Sequence, residues 1–333
     1  MKPQSNKLAF TICSANYLAQ AIALGNSLLQ HNPTYTFVIG LVDEIEDKIL
    51  PVKIAYPLIP IKDINIPDFN GFCTQYNITE LNTAVKPFYF SYLFEKNEAV
   101  ESIVYLDPDI FVYHCFELLE NHLATNQIVL TPHITAPIND DKYPTETDFL
   151  NAGIYNLGFI ALKRGTESFG LINWWKNRLY HLCKIDFEKG LFVDQLWLNF
   201  ATLFYKEVFV LANPGYNMAY WNLQERSLSK NEAGTYMVNG EHPLVFYHFS
   251  GYDLHKQYAV SKYQNRFSFS DRKDIAPLFD KYHQDVMSRG FDAFAAIPCK
   301  YITNGSNKKK TSTIKKLVHQ LKNWKHSLLQ SNK

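Results

Sequence analysis

Over the first two-thirds of this chain, short apolar runs alternate with stretches whose apolar residues recur at helical spacing. The runs predict strands over 8–13, 36–42, 54–59, 102–106, 128–131, 155–162, 207–211 and 244–249. Between them, Leu18, Ile22, Gly25 and Leu29 set a helical stripe, and helices are predicted over 79–95, 168–182 and 192–204. Pro87 falls inside the second and makes 80–86 its weakest-determined part. Strands alternating with helices define an α/β class, a mixed, mostly parallel sheet flanked by helices.

At 333 residues the chain accommodates one large domain with an appendage. The segment 301–308 reads as a linker, which divides the chain into a body, 1–300, and a tail, 301–333. The tail explains a hidden charge asymmetry. Net charge is +1, but 308–333 holds eight lysines and no acidic residue, leaving 25 basic against 32 acidic residues elsewhere. A body at −7 makes a poor nucleic-acid platform, because phosphate binding rests on Lys and Arg. No apolar run is long enough to span a membrane, and 1–10 lacks the apolar core of a secretory signal. Five scattered cysteines without a CxxC pair fit buried thiols in a reducing cytosol, not a disulfide framework or a zinc site.

The most chemical feature is Ile103-Val104-Tyr105-Leu106-Asp107-Pro108-Asp109. An apolar strand runs out into two carboxylates one residue apart, which strand periodicity sends to the same side. Two close carboxylates repel unless a cation lies between them, and hard divalent cations prefer oxygen ligands. In open α/β sheets the ligand crevice lies beyond the carboxyl ends of the strands. The competing reading is a pair that caps a loop or the next helix. His248 ends another apolar run and offers a nitrogen ligand, with a satisfied core histidine as its alternative. Gly251 just beyond suits close approach of backbone to a phosphate.

Six blocks in fixed order resemble the retaining GT-A glycosyltransferases, close to family 8 and related bacterial sugar transferases. They are the strand and loop 11–17, Thr83-Ala84-Val85-Lys86-Pro87, Tyr105 to Asp109 (the "YLDxD" motif), Tyr155-Asn156-Leu157-Gly158 ("FNxG"), Asp194-Gln195 ("DQ") and His248-Phe249-Ser250-Gly251 ("HFxG"). Together they span roughly three-quarters of the chain. Three departures mark a separate subfamily: Lys86 stands where family 8 usually has Arg, Leu157 replaces a small residue, and 252–256 replaces the usual Lys-Pro-Trp.

The resemblance implies a GT-A, Rossmann-like nucleotide-diphospho-sugar transferase fold and a hexosyltransferase-like activity on a nucleoside-diphosphate sugar donor. It implies Mn2+ or Mg2+ held by Asp107, Asp109 and His248. Thr11, Ser14, Asn16 and Tyr17 are the candidates for the nucleoside, with Lys86 and Gly251 for the phosphates. Asp194, Gln195 and Asn156 are the candidates beside the donor sugar, Gln195 lying under the anomeric carbon. Taken singly, Ser14 and Asn16 also fit turn and capping roles, Lys86 fits a surface lysine paired with Glu80, and Asp194 fits a first-turn carboxylate. Trp174, Trp175, Trp197, Tyr216, Tyr220 and Trp221 are candidate sugar platforms, and the turn-rich segment 213–222 suits an acceptor-side loop.

The tail carries Ile314, Leu317, Val318, Leu321, Trp324 and Leu328 at helical spacing among lysines. A basic amphipathic C-terminal helix suits an anionic membrane surface, against the alternative of a solvated or partner-docked helix. With it, the expected acceptor is a glycan or a lipid-linked glycan in bacterial cell-surface polysaccharide synthesis, at the cytoplasmic face of the membrane. The rival readings are a nucleotidyltransferase or nucleotide-sugar hydrolase on a similar sheet, and a non-catalytic carbohydrate-binding protein. The first usually needs a Gly-rich, basic loop, and 11–17 has neither Gly nor Lys nor Arg.

Overall fold

The computed structural model describes residues 5–45 and 50–301. The expected C-terminal amphipathic helix and nearly all of the tail lie outside the described residues. Strand β1 (Lys7–Cys13) leads through a single 3-10 turn into α1 (Leu18–His31), followed by β2 (Thr36–Leu41) and β3 (Leu58–Pro60). Next come α2 (Ile78–Ala84), α3 (Lys86–Lys96), β4 (Ser102–Leu106), β5 (Ile110–Val112), α4 (Glu117–Thr125) and β6 (Ile128–Pro132). Then follow α5 (Glu146–Ala152), β7 (Tyr155–Lys163), α6 (Thr166–Leu182), β8 (Val208–Val210), β9 (Met218–Ala219), β10 (Phe246–His248), α7 (Ala276–Ser288) and α8 (Phe291–Ala295).

The central sheet runs β8-β6-β7-β4-β1-β2-β3, and β7 is its one antiparallel strand. This is the mixed, mostly parallel α/β sheet that the alternation predicts. Both faces are covered, so successive β1 residues enter different cores. Ala9 and Cys13 pack with α1 and α7, while Leu8, Phe10 and Ile12 pack with α2, α3 and α6. A small second sheet, β9-β10-β5, is built beyond the end of β4.

Two predicted helices are interrupted, and both interruptions serve the site. The helix expected over 79–95 breaks at Val85, because Pro87 has no N–H to donate and fits only the first turn of a new helix. The break turns Lys86 into the interior, where it is 1% exposed, instead of onto a helix surface beside Glu80. Glu80 is occupied in a capping box with Asn77. The helix expected over 192–204 is replaced by a turn, a 3-10 helix at Leu196–Phe200 and one α turn at Ala201–Phe204. Val193 holds φ at +38°, a region costly for a β-branched residue, and Asp194 follows it.

Smaller differences are of length. The strand expected over 54–59 reduces to β3, and that over 244–249 to β10. Helices α4, α5, α7 and α8 were not among those expected. All five cysteines are free, and only Cys115 is not buried. Among the described residues no helix is long and apolar enough to cross a membrane.

Candidate functional site

Asp107 leaves the carboxyl end of β4, held there by its N–H donating to Gly158 O of β7 at 2.8 Å. Three residues on, the chain enters β5, which pairs antiparallel with β10 so that His248 faces Ile110. Phe249 N donates to Asp109 O at 2.8 Å and locks the junction. This crossing brings together residues far apart in sequence. His248 Nε2 lies 3.0 Å from Asp109 Oδ1 and 3.8 Å from Asp107 Oδ2. One donor atom from each of the three lies within 4.8 Å of the others, the grouping a divalent cation needs.

Each member is fixed by a neighbour. Tyr105 Oη donates to Asp107 Oδ1 at 2.6 Å, leaving Oδ2 turned toward His248. The imidazole rests against Gly158, where an added Cβ would lie 2.4 Å from His248 Cε1. Trp221 stands edge-on to the same ring at 5.1 Å. Burial works against a positive charge on His248, yet Asp109 and then Asp107 outweigh it and hold the imidazole above its ordinary pKa. His248 Nδ1 is buried without a protein partner among the described residues. The set therefore fits a cation: two carboxylates and one imidazole whose donor atoms converge, with acidic neighbours that favour positive charge at this point.

Beside it lies a buried ion pair. Lys86 Nζ donates to Asp194 Oδ2 at 2.5 Å and to Leu157 O at 2.7 Å, and sits 4.3 Å over the Tyr105 ring. Asp194 O accepts from Trp175 Nε1 at 3.2 Å. Asp194 is thus neither an N-cap nor a solvent-facing first-turn carboxylate. Burial pushes its carboxyl above the usual range, with Lys86 pulling the other way. Lys86 and the cation cluster share Tyr105, so the two groups of charges form one continuous site. Gln195 caps the following 3-10 helix without a side-chain bond, and a Cβ on Gly153 would meet its backbone at 3.2 Å.

Asn156 is deeply engaged with protein. Its Oδ1 accepts from Gly158 N at 3.1 Å and from Asn217 Nδ2 at 3.0 Å, and its Nδ2 lies 3.1 Å from His133 Nε2. Asn217 reaches Thr131, and Asn222 reaches both His133 O and Asn217 O. The segment 213–222 is therefore tied inward by buried asparagines. Tyr216, Trp221 and Trp175 are core residues rather than sugar platforms, while Trp174 and Trp197 pack partly buried against the core. Of that set Tyr220 alone stands near the cation ligands with part of its ring outside the core.

The N-terminal candidates divide. Thr11 is fully buried, and its hydroxyl has no protein partner among the described residues. Ser14 Oγ donates to Asn16 Oδ1 at 2.6 Å in the turn after β1. As a residue Tyr17 is 44% exposed. Enclosure of its phenol, then the Asp109 charge, push its pKa up to about 12. Gly251 has φ of +72°, and the space a Cβ would take is already filled by Ser261 Oγ and Tyr263 Cδ2, both at 2.5 Å. The need for glycine there is explained within the protein.

The sequence motifs include Tyr105 and Gly158, and the segment 213–222 includes Asn217, but the pattern gives none of the three a role of its own and does not mark His133 at all. Tyr105 carried a signal, since it shares a strand face with Asp107. His133 also did, as a histidine just past the end of β6, much as His248 ends β10.

No protein-family model matches the chain. Two curated Bacillus subtilis (strain 168) proteins, both uncharacterized, are similar in sequence. YfnF is 28% identical over 249 residues, covering 73% of this chain and 81% of its own length. YfnD is 22% identical over 249 residues, covering 73% and 77%. Among solved structures, the glycosyltransferase GlyE of Streptococcus pneumoniae TIGR4 aligns at a TM-score of 0.48 and 16% identity, over 89% of this chain and 66% of GlyE. The galactosyltransferase LgtC, solved with donor and acceptor sugar analogues, aligns at 0.47 and 15%, over 85% and 95%.

Proposed function

We propose that this chain is a GT-A glycosyltransferase that moves a hexose from a nucleoside-diphosphate sugar to a glycan or lipid-linked acceptor with retention of configuration. The observation that carries the proposal is the convergence of Asp107, Asp109 and His248 beyond the carboxyl end of a strand in a mostly parallel sheet. These three would hold Mn2+ or Mg2+, which when bound supplies Lewis-acid stabilisation of charge on a departing diphosphate. The ordered sequence blocks support the same reading.

The chain's own residues then divide the work. Tyr105 fixes which oxygen of Asp107 faces the ion position. Lys86 holds Asp194 in one rotamer and favours its ionised form, ready to accept from sugar hydroxyls beside the cation site. Gln195 follows on the same turn and is the candidate for the face of the anomeric carbon. Tyr17 offers a partly exposed side chain near Asp109 for the nucleoside. Residues 1–300 form the catalytic domain in this reading, and the lysine-rich 308–333 is the segment suited to an anionic membrane surface.

The test is a thermal-shift and hydrolysis screen of UDP-, GDP- and dTDP-sugars with and without Mn2+, run in parallel on Asp109→Ala. At least one donor should stabilise the wild type only with Mn2+, and the substitution should abolish that shift. Binding that ignores the metal, or survives the substitution, sinks the assignment.

A further inference from the structure

Three tyrosines from three separate segments meet near the cation ligands. Tyr220 follows β9, Tyr263 follows the turn after β10, and Tyr143 lies in the loop between β6 and α5. The Tyr220 and Tyr263 rings are 6.3 Å apart and tilted by 43°. Tyr143 lies close enough to the other two that, after burial, its phenol raises the pKa of Tyr220, while burial, then Asp148, then Tyr263 raise its own. Tyr143 and Tyr263 are each 44% exposed.

Their position relative to the site follows from shared neighbours. Tyr263 packs against Gly251, three residues past His248, and Lys262 N donates to Gly251 O at 3.0 Å. Tyr220 adjoins Trp221, whose ring is edge-on to His248. Tyr17 interacts electrostatically with both Asp109 and Tyr263. Tyr220 and Tyr263 therefore stand about one side chain away from the cation ligands, with Tyr143 joined to them from the far side.

They are also held in place, which exposed tyrosines usually are not. Arg266, three residues past Tyr263, has a side chain only 3% exposed. Its Nε donates to Asp140 Oδ2 and its Nη2 to Asp140 Oδ1, both at 2.9 Å, and Nη2 also reaches Lys142 O at 2.9 Å and Pro144 O at 2.8 Å. Asn265 completes the clamp, accepting from Tyr143 N at 2.7 Å and donating to Tyr143 O at 3.1 Å. A buried guanidinium thus fixes the Tyr143 loop to the Tyr263 loop. Such rigidity lowers the entropic cost of binding.

We propose that Tyr143, Tyr220 and Tyr263 form an acceptor subsite that takes one sugar ring of a glycan. The proposal rests on the glycosyl-transfer reading and adds where the acceptor lies. A pyranose offers a C–H face to an aromatic ring and a rim of hydroxyls to phenols that both donate and accept. An alkyl chain would strip water from those phenols without replacing their hydrogen bonds.

Ligand-observed NMR on the whole chain with Mn2+ and UDP, GDP or dTDP tests this, the probes being methyl glycosides of glucose, galactose, mannose and N-acetylglucosamine. At least one glycoside should bind, about tenfold more weakly in Y143A and Y263A and about threefold more weakly in Y143F and Y263F, which keep the ring face but lose the phenol hydrogen bond. Nucleotide affinity should stay within about twofold in all four variants. No glycoside binding by a wild type that binds Mn2+ and nucleotide overturns the subsite, as does equal binding in the alanine variants. Loss of nucleotide affinity in those variants assigns the wall to the donor and overturns it too. A wild type that binds glycosides through these tyrosines but no nucleotide keeps the sugar subsite and sinks the transferase reading instead.

Discussion

Lys86 Nζ donates to Asp194 Oδ2 at 2.5 Å across 108 residues of sequence, with both side chains almost wholly enclosed. A buried pair of this kind gains little over an apolar substitute, but either half left alone is costly. Lys86→Met should therefore destabilise the chain by about 3–5 kcal/mol, because Asp194 is left charged or forced to take a proton. Adding Asp194→Asn to it should recover about 1–3 kcal/mol while donor turnover stays lost. Urea unfolding of the two single variants and the double variant checks this. Strictly additive losses would mean that the two side chains do not act as a pair.

Gly158 gives a sharper test of His248, because the fault is steric and local. The methyl of Gly158→Ala would overlap His248 Cε1 and lie 2.8 Å from both His248 Nδ1 and Asn156 Oδ1. The imidazole must shift, at about 1–3 kcal/mol of stability. Mn2+ affinity, read by titration of the ion's paramagnetic signal, should fall about 10–100-fold. Wild-type Mn2+ affinity in this variant would show that the position of His248 does not matter to the ion.

Tyr105 acts on the same ion through Asp107. Tyr105→Phe removes the 2.6 Å bond to Oδ1 and lets the carboxylate rotate, without opening a large cavity. The expected result is Mn2+ affinity lowered about 10–100-fold with a thermal midpoint only slightly changed. An unchanged affinity would make the phenol a packing residue.

What could be read in the sequence was whatever depends on local pattern. The apolar run 103–106 ending in two carboxylates marks a strand leaving a sheet, and Phe246–His248 marks another. Even α7 carries a stripe, with Leu278, Tyr282 and Val286 at four-residue steps, though it lies beyond the strand–helix alternation of the first two-thirds. Pairings across the fold left no such trace. Nothing around Lys86 announces Asp194, since the inward turn depends on how Pro87 splits two helices. The asparagine network around Asn156 is set by three segments meeting, so the turn-rich stretch 213–222 reads as an acceptor-side loop although its asparagine side chains turn inside.

His133 supplies the pH dependence. Its ring stacks on Phe149 at 5.0 Å, and Asn156 Nδ2 lies 3.1 Å from its Nε2, a contact that assigns the ring proton to Nδ1. Burial pushes its pKa down to about 4. The unfolded chain takes up a proton near pH 6.5 and the folded chain refuses it until about pH 4, so unfolding binds protons in that window. The contribution is complete above the unfolded pKa, declines as pH falls from 6.5 to 4, and amounts to on the order of 3 kcal/mol. His133→Gln should show a flatter loss of unfolding free energy across this range, since every other titrating group is common to both chains. Equal slopes in urea melts would mean that the folded chain protonates His133 freely, and that the polar network behind Gly158 and His248 is open to water.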